Sequence, residues 1–259
     1  MILVHPLIDP VILSFGFLQI RWYGLAYVLG FLIGLYLIKK FNNNSSFPIK
    51  NNHIDNFFIW SVIGVIFGGR LGYVAFYQTS SIFNNPISIF FIWQGGMSFH
   101  GGLIGIIFSV LIYSKYKKIN FFQLSDVVSI VAPIGIFLGR LANFINVELY
   151  GRKTEFVFAM IYPNIDNQPR HPSQLYEAFF EGIVLFLILY LFNKHVFMKT
   201  KFGLTTSFFL IFYGMLRFIL EFLREPDTHL GLYYNFFTMG QLLSIPMILL
   251  GIIIYFKKS

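Results

Sequence analysis

Residues 19–39 read QIRWYGLAYVLGFLIGLYLIK, and no charged side chain lies between Arg21 and Lys39. A helix needs roughly 20 mostly apolar residues to cross about 30 Å of hydrocarbon, so this run is long enough to span a bilayer. Six further windows have the same character: 55–78, 97–116, 124–146, 175–195, 203–224 and 238–256. Hydrophobic residues make up 56% of the 259 residues and charged residues 12%. The sequence therefore predicts an all-α polytopic membrane protein with seven transmembrane helices.

The lysines predict the direction of these helices, because cytoplasmic loops collect Lys and Arg. Eleven of the twelve lysines follow the first, third, fifth and seventh windows: Lys39, Lys40, Lys50, Lys115, Lys117, Lys118, Lys194, Lys199, Lys201, Lys257 and Lys258. We expect the N-terminus outside and the C-terminus in the cytoplasm. These short loops also account for the net charge of +8, so we expect no nucleic-acid partner.

The segments between the windows are short, so we expect one transmembrane domain over 1–259. Segments 1–18 and 79–96 are apolar stretches suited to the membrane interface, and we expect them to form two outer arms. Segment 147–174 is richer in Pro, Asn and Asp and is predicted to be a small outer head, or cap. It contradicts the charge rule by placing Arg152, Lys153 and Arg170 outside.

All seven arginines fall on the outer side of this topology: Arg21, Arg70, Arg140, Arg152, Arg170, Arg217 and Arg224. At 1.5 Å per residue, Arg70, Arg140 and Arg217 lie roughly 21 to 24 Å along their helices. A charge at mid-membrane costs about 2.5 to 3.5 kcal/mol, so such residues usually face an interior or a wet cavity. A guanidinium offers a planar donor fork that suits phosphate, which points to a phospholipid headgroup as ligand.

Two of these arginines stand in polar stripes that favour an inward orientation. On the sixth helix the stripe follows i, i+4, i+8 and i+11 spacing: Tyr213, Arg217, Glu221 and Arg224. On the fourth helix, Arg140 is followed by Asn143, Asn146 and Glu148. For Arg21 and Arg224, near helix ends, snorkelling to headgroups explains the position equally well. Arg70 is either a lipid clamp or a structural partner of a carboxylate.

His100 begins the third predicted helix between glycines, in Phe99-His100-Gly101-Gly102. The free N–H groups of a helix start can bind an anion, and the helix dipole keeps an imidazole neutral and available as a base. A simple turn with an interfacial histidine fits equally well. The chain has no cysteine, and its other histidines lack metal-ligand spacing, so we expect no metal and no cofactor.

Several ordered motifs together resemble the prolipoprotein diacylglyceryl transferases, bacterial membrane enzymes that begin lipoprotein maturation. They are Ile20-Arg21-Trp22-Tyr23-Gly24, Phe99-His100-Gly101-Gly102, Gly139-Arg140-Leu141-Ala142-Asn143-Phe144-Ile145-Asn146, Arg170-His171-Pro172-Ser173-Gln174-Leu175-Tyr176-Glu177, Arg224-Glu225-Pro226-Asp227 and Met239-Gly240-Gln241-Leu242-Leu243-Ser244. The resemblance extends over nearly the whole chain.

The resemblance implies transfer of a diacylglyceryl group from phosphatidylglycerol to the lipobox cysteine of a prolipoprotein signal peptide. The products are a thioether and glycerol phosphate. It also implies a monomer in the bacterial cytoplasmic (inner) membrane, with an active site facing the outer leaflet. Its catalytic residues would be His100, Arg140 and Arg217. The residues that shape its site would be Tyr23, Asn143, Glu148, Gly151, Tyr213 and Glu221. From the arginine pattern we add Arg70 and Arg224 as expected substrate-binding residues.

Two other functions use the same residues. A lipid transporter or scramblase could hold headgroups in an arginine-lined cavity without forming a covalent product. An intramembrane serine protease could use Ser98 beside His100, although adjacent positions rarely give nucleophile–base geometry. For the transfer reaction itself, either His100 removes the thiol proton or the positive field of the arginines promotes thiolate formation.

Overall fold

Helices account for most of the chain in the computed structural model, which describes residues 3–16, 18–43, 48–78, 87, 90, 96–193, 201–226, 233 and 236–258. Within these residues, each of the seven apolar windows contains a helix. The helices are α1 (Trp22–Asn43), α2 (Asn51–Tyr77), α3 (Phe99–Lys117), α4 (Phe121–Ile145), α5 (Ser173–Phe192), α6 (Leu204–Leu220) and α7 (Met239–Lys258). The predicted helical class is therefore confirmed.

Six of the helices are long and apolar enough to cross a membrane. The exception in the described residues is α6, an apolar helix of 17 residues that ends at Leu220 rather than near Arg224. It ends early because the next residues form a turn, in which the Leu223 carbonyl accepts a hydrogen bond from the Arg152 N–H at 2.9 Å. The protein is a mostly helical polytopic membrane protein.

The chain divides into two compact units. Unit 1 comprises Met1–Leu37 and Asp126–Ser259, and unit 2 comprises Ile38–Ser125. The division cuts α1 and α4 near their ends, so that unit 2 contains α2 and α3 as a helical hairpin. Tyr23 and most of the polar residues singled out from the sequence belong to unit 1, whereas Arg70 and His100 belong to unit 2.

In unit 2, small residues allow α2 and α3 to pack backbone against backbone. A Cβ on Gly68 would overlap the Gly101 carbonyl, and one on Gly105 would overlap the Gly64 carbonyl. Close packing of this kind is a main source of helix association in membranes, where there is no hydrophobic driving force between helices. The glycines that precede Arg70 in the sequence therefore belong to the α2–α3 contact.

In unit 1, a carboxylate from α4 caps the start of α6. The Asp126 side chain accepts hydrogen bonds from the Gly203 N–H at 2.6 Å, the Thr206 N–H at 2.8 Å and the Thr206 hydroxyl at 2.7 Å. The N–H groups at a helix start lack intrahelical partners, so this side chain satisfies donors that would be costly to bury. It fixes α6 against α4, the two helices that carry Arg217 and Arg140.

Short strands form outside the long helices, so the all-α prediction does not hold for these segments. β2 (Val11–Phe15) and β3 (Leu18–Arg21) form an antiparallel hairpin that leads into α1. β1 (Leu3–Val4), β4 (Met160–Ile161) and β5 (Pro169–Arg170) form a three-stranded sheet. Backbone N–H and C=O groups outside a helix need other partners, and strand pairing supplies them here. The predicted arm at 79–96 lies almost entirely outside the described residues.

His5, to which the sequence analysis gave no role, ties the N-terminal segment to the rest of unit 1. Its side chain is buried, and its Nε2 lies 2.9 Å from the Phe144 carbonyl at the end of α4. Its Nδ1 accepts a hydrogen bond from the Leu7 N–H at 3.1 Å, and its ring stacks on Tyr162. The N-terminal strand is thus anchored beside the segment that follows Arg140.

The glycine contact in unit 2 predicts different effects for two neighbouring substitutions on α3. Gly105→Ala should lower the free energy of unfolding by about 1–3 kcal/mol, because its methyl group would overlap the Gly64 backbone. The control Gly102→Ala should be tolerated, since its Cβ would meet Val65 at an ordinary 3.6 Å. Thermal unfolding in lipid nanodiscs measures both effects. Equal stability of the two variants would contradict this packing.

Candidate active site

Two arginines from different helices meet on one carboxylate in unit 1. Arg140 on α4 places Nη1 3.0 Å from Oε2 of Glu177, and Arg217 on α6 donates from Nη1 to Oε1 of the same residue at 2.6 Å. The Glu177 side chain is fully buried. Two guanidinium groups that contact the same carboxylate lie close enough to repel each other. The negative charge of Glu177 between them offsets that repulsion. Glu177 thus bridges the two arginines.

A second buried carboxylate, Glu181, lies one turn further along α5. Its Oε2 accepts a hydrogen bond from Arg140 Nη2 at 3.1 Å, and its Oε1 lies 3.6 Å from Arg217 Nη1. The Glu181 side chain is also fully buried. Arg140 therefore contacts two carboxylates through its two terminal nitrogens, which fixes the plane of its guanidinium group.

A third carboxylate holds Arg217 from its other side. Glu221, in the turn after α6, places Oε2 2.6 Å from Arg217 Nη2. Gly240 at the start of α7 leaves the room for it, since a Cβ there would come within 2.7 Å of the Glu221 carboxyl carbon. Arg224 is buried and reaches to 3.8 Å from Glu177 Oε1.

The part of α5 that directly follows Glu177 and carries Glu181 is a π-helix over Ala178–Val184. Its wider turn is uncommon and occurs frequently at functional sites. Gly182 lets this segment approach α4, because a Cβ at that position would lie 2.6 Å from the Phe137 Cβ. The close contact sets α5 against the helix that carries Arg140, and so places Glu177 and Glu181 beside it.

These residues form a buried ion cluster of six side chains: Arg140, Arg217, Arg224, Glu177, Glu181 and Glu221. Three positive and three negative charges balance in this part of the structure, which limits the cost of removing them from water. The Arg140 and Arg217 side chains keep 14% and 13% of their surface exposed, whereas Glu177 and Glu181 keep none. The accessible face of the cluster is therefore cationic and can bind an anion.

A second polar group links α1 to the end of α4. The Asn143 amide donates to the Tyr23 hydroxyl at 2.6 Å and to Glu148 Oε2 at 3.0 Å. Asn146 also donates to Glu148, at 3.2 Å. The structure thus brings Tyr23, Asn143 and Glu148 together in one hydrogen-bonded network. Its central residue, Asn143, lies three residues after Arg140 on α4.

The backbone around Glu148 is strained. Val147 and Leu149 both adopt positive φ, at 57° and 56°, a region that is rare for non-glycine residues and unfavourable for a β-branched one. Surrounding contacts impose this conformation, since the Glu148 carbonyl accepts from the Gln174 amide at 2.6 Å and the Leu149 carbonyl from the Ser173 hydroxyl at 2.8 Å. Such strain clusters at functional sites, which marks the Glu148 turn as a candidate.

Gly151 lies where the cap contacts both α5 and the turn after α6. Its N–H donates to the His171 carbonyl at 2.9 Å, and a Cβ would come within 2.7 Å of the Leu223 carbonyl. Its own carbonyl accepts from Arg170 Nη1 at 3.0 Å. A larger residue at position 151 would push the backbone away from the His171 and Leu223 carbonyls. Burial lowers the pKa of the neighbouring His171 imidazole below its usual value.

The arginines that contradicted the charge rule hold the cap together. Arg170 forms two hydrogen bonds to Asp166, at 2.6 and 3.2 Å, and another to Glu225 at 3.2 Å. The hydrogen bonds from Arg170 lower the pKa of the Asp166 carboxyl. Arg152 donates from Nε to the Arg224 carbonyl at 2.9 Å. Both arginines therefore connect the cap internally or to the residues that follow α6.

Tyr213 is buried on α6, one turn before Arg217. Its ring stacks on Phe209, with ring centroids 5.5 Å apart. It interacts electrostatically with Arg140, Arg217 and the two α5 glutamates, so it faces the ion cluster as the stripe predicted.

The two remaining predicted residues lie in unit 2. His100 is exposed, and its ring contacts Phe99 edge-on with centroids 5.7 Å apart. Arg70 is buried, with its guanidinium 5.8 Å from the centre of the Tyr73 ring. Ser98 caps α3 by accepting from the Gly101 N–H at 3.3 Å. This capping role accounts for Ser98 without the nucleophilic role of the protease alternative.

Glu177 and Glu181 are the residues that sequence reasoning missed. Glu177 appeared only within a motif, and Glu181 was not mentioned. The signal was two carboxylates spaced i, i+4 inside the window 175–195, where acidic residues are as costly as arginines. Among the described residues, no group of three or more His, Cys, Asp or Glu side chains is placed to hold a metal ion.

Comparisons with known proteins identify one family. Residues 10–257 match the family model for prolipoprotein diacylglyceryl transferase. The phosphatidylglycerol–prolipoprotein diacylglyceryl transferases of Rickettsia felis and Rickettsia typhi are each 50% identical to the chain over 250 residues, which is 96% of both sequences. The corresponding protein of Rickettsia bellii is 47% identical over 258 residues, covering 99% of this chain and 98% of its own.

The ion cluster predicts a large effect of removing one bridging charge. Glu177→Gln should lower the free energy of unfolding by about 3–5 kcal/mol, because it leaves Arg140 and Arg217 buried against each other without their shared carboxylate. Glu155→Gln, at an exposed position in the cap, is the matched control and should change stability little. Thermal unfolding in nanodiscs compares the two. A Glu177→Gln protein as stable as the control would contradict the bridging role.

Proposed function

We propose, since the chain belongs to the prolipoprotein diacylglyceryl transferase family, that it transfers the diacylglyceryl group of phosphatidylglycerol to the lipobox cysteine of prolipoproteins. The products are a thioether-linked protein and glycerol phosphate, so the protein performs the first step of lipoprotein maturation. The observation that carries the proposal is the pair of Arg140 and Arg217, held side by side by Glu177 with a cationic face left accessible.

The chemistry of the transfer explains why two arginines are needed. The thiol sulfur attacks the glyceryl carbon, the carbon–oxygen bond to the phosphate breaks, and the bonding electrons remain on the phosphate oxygen. Negative charge therefore grows on the leaving phosphate in the transition state. Arg140 and Arg217 stabilise that charge, and because Glu177, Glu181 and Glu221 already fix their positions, little reorganisation accompanies the reaction.

The neighbouring polar groups orient the substrates in this proposal. Tyr23, Asn143 and Glu148 offer a hydroxyl, an amide and a carboxylate beside the arginines, a set suited to the glycerol hydroxyls of the headgroup. Gly151, Tyr213, Glu221 and Arg224 shape the site, the last two through contacts with the ion cluster. Arg70 and His100, which belong to unit 2, stay predictions as a substrate-binding and a catalytic residue, respectively.

The position of the protein in the membrane follows from its family membership and from its lysine-rich loops. We propose that α6 also spans the bilayer, which gives seven transmembrane helices in a single catalytic domain. Segments 1–18 and 79–96 are outer arms, and 147–174 is the outer head. The N-terminus is outside and the C-terminus cytoplasmic, because the lysine-rich loops lie inside. The protein works as a monomer in the bacterial inner membrane, and its active site faces the outer leaflet.

A direct assay separates this function from lipid transport. The purified protein, mixed with phosphatidylglycerol and a lipobox peptide, should add one diacylglyceryl group to the peptide and release glycerol phosphate. Mass spectrometry measures both products. A scramblase would move labelled lipid between leaflets and leave the peptide mass unchanged, which would refute the transfer.

Arg140→Ala and Arg140→Lys test the arginine pair in that assay. Removing one preorganised donor group lowers kcat by about 10²–10³-fold in comparable sites, so we expect at least this loss for Arg140→Ala. Arg140→Lys keeps the charge but loses the fork that contacts both Glu177 and Glu181, so it should recover only part of the activity. Unchanged product formation by Arg140→Ala would show that the site lies elsewhere.

His100→Gln tests whether the exposed histidine is the base. Glutamine keeps a hydrogen-bonding side chain but cannot accept the thiol proton at neutral pH. If another group accepts the thiol proton, the His100→Gln protein should lose only part of its activity. Complete loss of turnover in a folded His100→Gln protein would instead identify His100 as the essential base.

A further inference from the structure

We propose that Glu181 accepts the proton that the substrate thiol loses during the transfer. This inference rests on the proposed function, because only the transfer reaction supplies that proton. It makes Glu181 a proton acceptor for the reaction as well as a partner of Arg140.

The balance of the reaction requires an acceptor. The neutral thiol loses a proton, its sulfur forms the bond to the glyceryl carbon, and the broken carbon–oxygen bond leaves its electron pair on the phosphate. The phosphate enters as a diester with one negative charge and leaves as a monoester with two. Glu181 takes the thiol proton during this step and returns it to water or to the departing phosphate, which restores the carboxylate for the next cycle.

The contacts of the two α5 glutamates differ in a way that assigns this task to Glu181. Glu177 accepts a hydrogen bond from Arg217 at Oε1, at 2.6 Å, and its Oε2, which accepts no hydrogen bond from the described residues, forms an ion pair with Arg140 at 3.0 Å. Glu181 is engaged at Oε2 by Arg140 at 3.1 Å, whereas among the described residues its Oε1 makes no hydrogen bond and lies 3.6 Å from Arg217. Oε1 of Glu181 is thus the α5 carboxylate oxygen that lies farthest from an arginine nitrogen, and a proton there breaks no hydrogen bond and the weakest of these ion pairs.

Charge balance favours the same assignment. In the described cluster, three guanidinium groups face three carboxylates, and a bound phosphodiester adds one negative charge. When the phosphate gains its second negative charge, a proton on Glu181 removes one negative charge from the cluster. The total charge of the buried site therefore stays constant. A constant total avoids the cost of creating net charge in a medium of low dielectric constant.

The groups that face Glu181 come from three elements. Arg140 faces it from α4, and Tyr213 and Arg217 face it from α6. On its own helix, Glu177 lies one turn away, and the repulsion between the two carboxylates is relieved when one is protonated. Glu221 and Arg224, beyond α6, reach Glu181 only through Arg217 and Glu177.

The rate of diacylglyceryl transfer as a function of pH tests the proposal. Glu181→Gln keeps the size and the hydrogen-bonding of the side chain but cannot take a proton, so kcat should fall about 10²-fold or more. The acidic limb of its pH profile should disappear, while the KM for phosphatidylglycerol changes little. Glu181→Asp should be slower than the unaltered protein but keep the acidic limb. The control Glu155→Gln, outside the cluster, should match the unaltered protein.

A Glu181→Gln protein that transfers lipid with an unchanged pH profile would overturn the proposal. If that variant does not fold, infrared difference spectra of the unaltered protein and of Glu181→Asp provide the test. Formation of the product complex should produce a protonated-carboxyl band that changes position in Glu181→Asp. The absence of such a band would also overturn the proposal. An unaltered protein that forms no lipidated peptide would refute the proposed function itself, which is a distinguishable result.

Discussion

The bridge from Arg140 through Glu177 to Arg217 is the interaction on which the rest of unit 1 depends. Guanidinium groups cannot lose their charge, so an apolar helical bundle that buries two of them must supply carboxylates at hydrogen-bond distance. The protein supplies two of them from α5, against which α4 and α6 place their arginines, and a third, Glu221, from the turn after α6. The result is a pair of cations that are held rigidly and still have an accessible face.

Several features of the fold serve this bridge. Gly182 lets the π-helical part of α5 approach α4, and Gly240 leaves room for Glu221 beside Arg217. Asp126 fixes the start of α6 at the far end of the same helices. At the other end, Arg170 and its partners hold the cap onto the residues after α6. Each feature uses a small residue or a charged side chain with hydrogen-bond partners, because apolar packing alone would not place polar groups accurately in a membrane protein.

Much of this arrangement could be predicted from sequence. The residues that could not be predicted, and strand β1, depend on contacts between distant parts of the chain. The helices follow from apolar windows because crossing a bilayer imposes length and composition. Arg140 and Arg217 are conspicuous because a charge in such a window is costly. Glu177 and Glu181 were overlooked because their role depends on which helices pack together, and periodicity within one helix does not contain that information. Strand β1 was missed for the same reason, since it pairs with β4, far along the chain.

In the proposed reaction, the paired arginines bind the phosphate of the lipid. The most direct measurement is a cryo-electron microscopy structure of the protein in nanodiscs that contain phosphatidylglycerol. We expect headgroup phosphate oxygens within about 3 Å of both the Arg140 and the Arg217 guanidinium nitrogens, with Glu177 still between the two side chains. A phosphate bound away from both arginines, with the ion cluster closed against lipid, would contradict it.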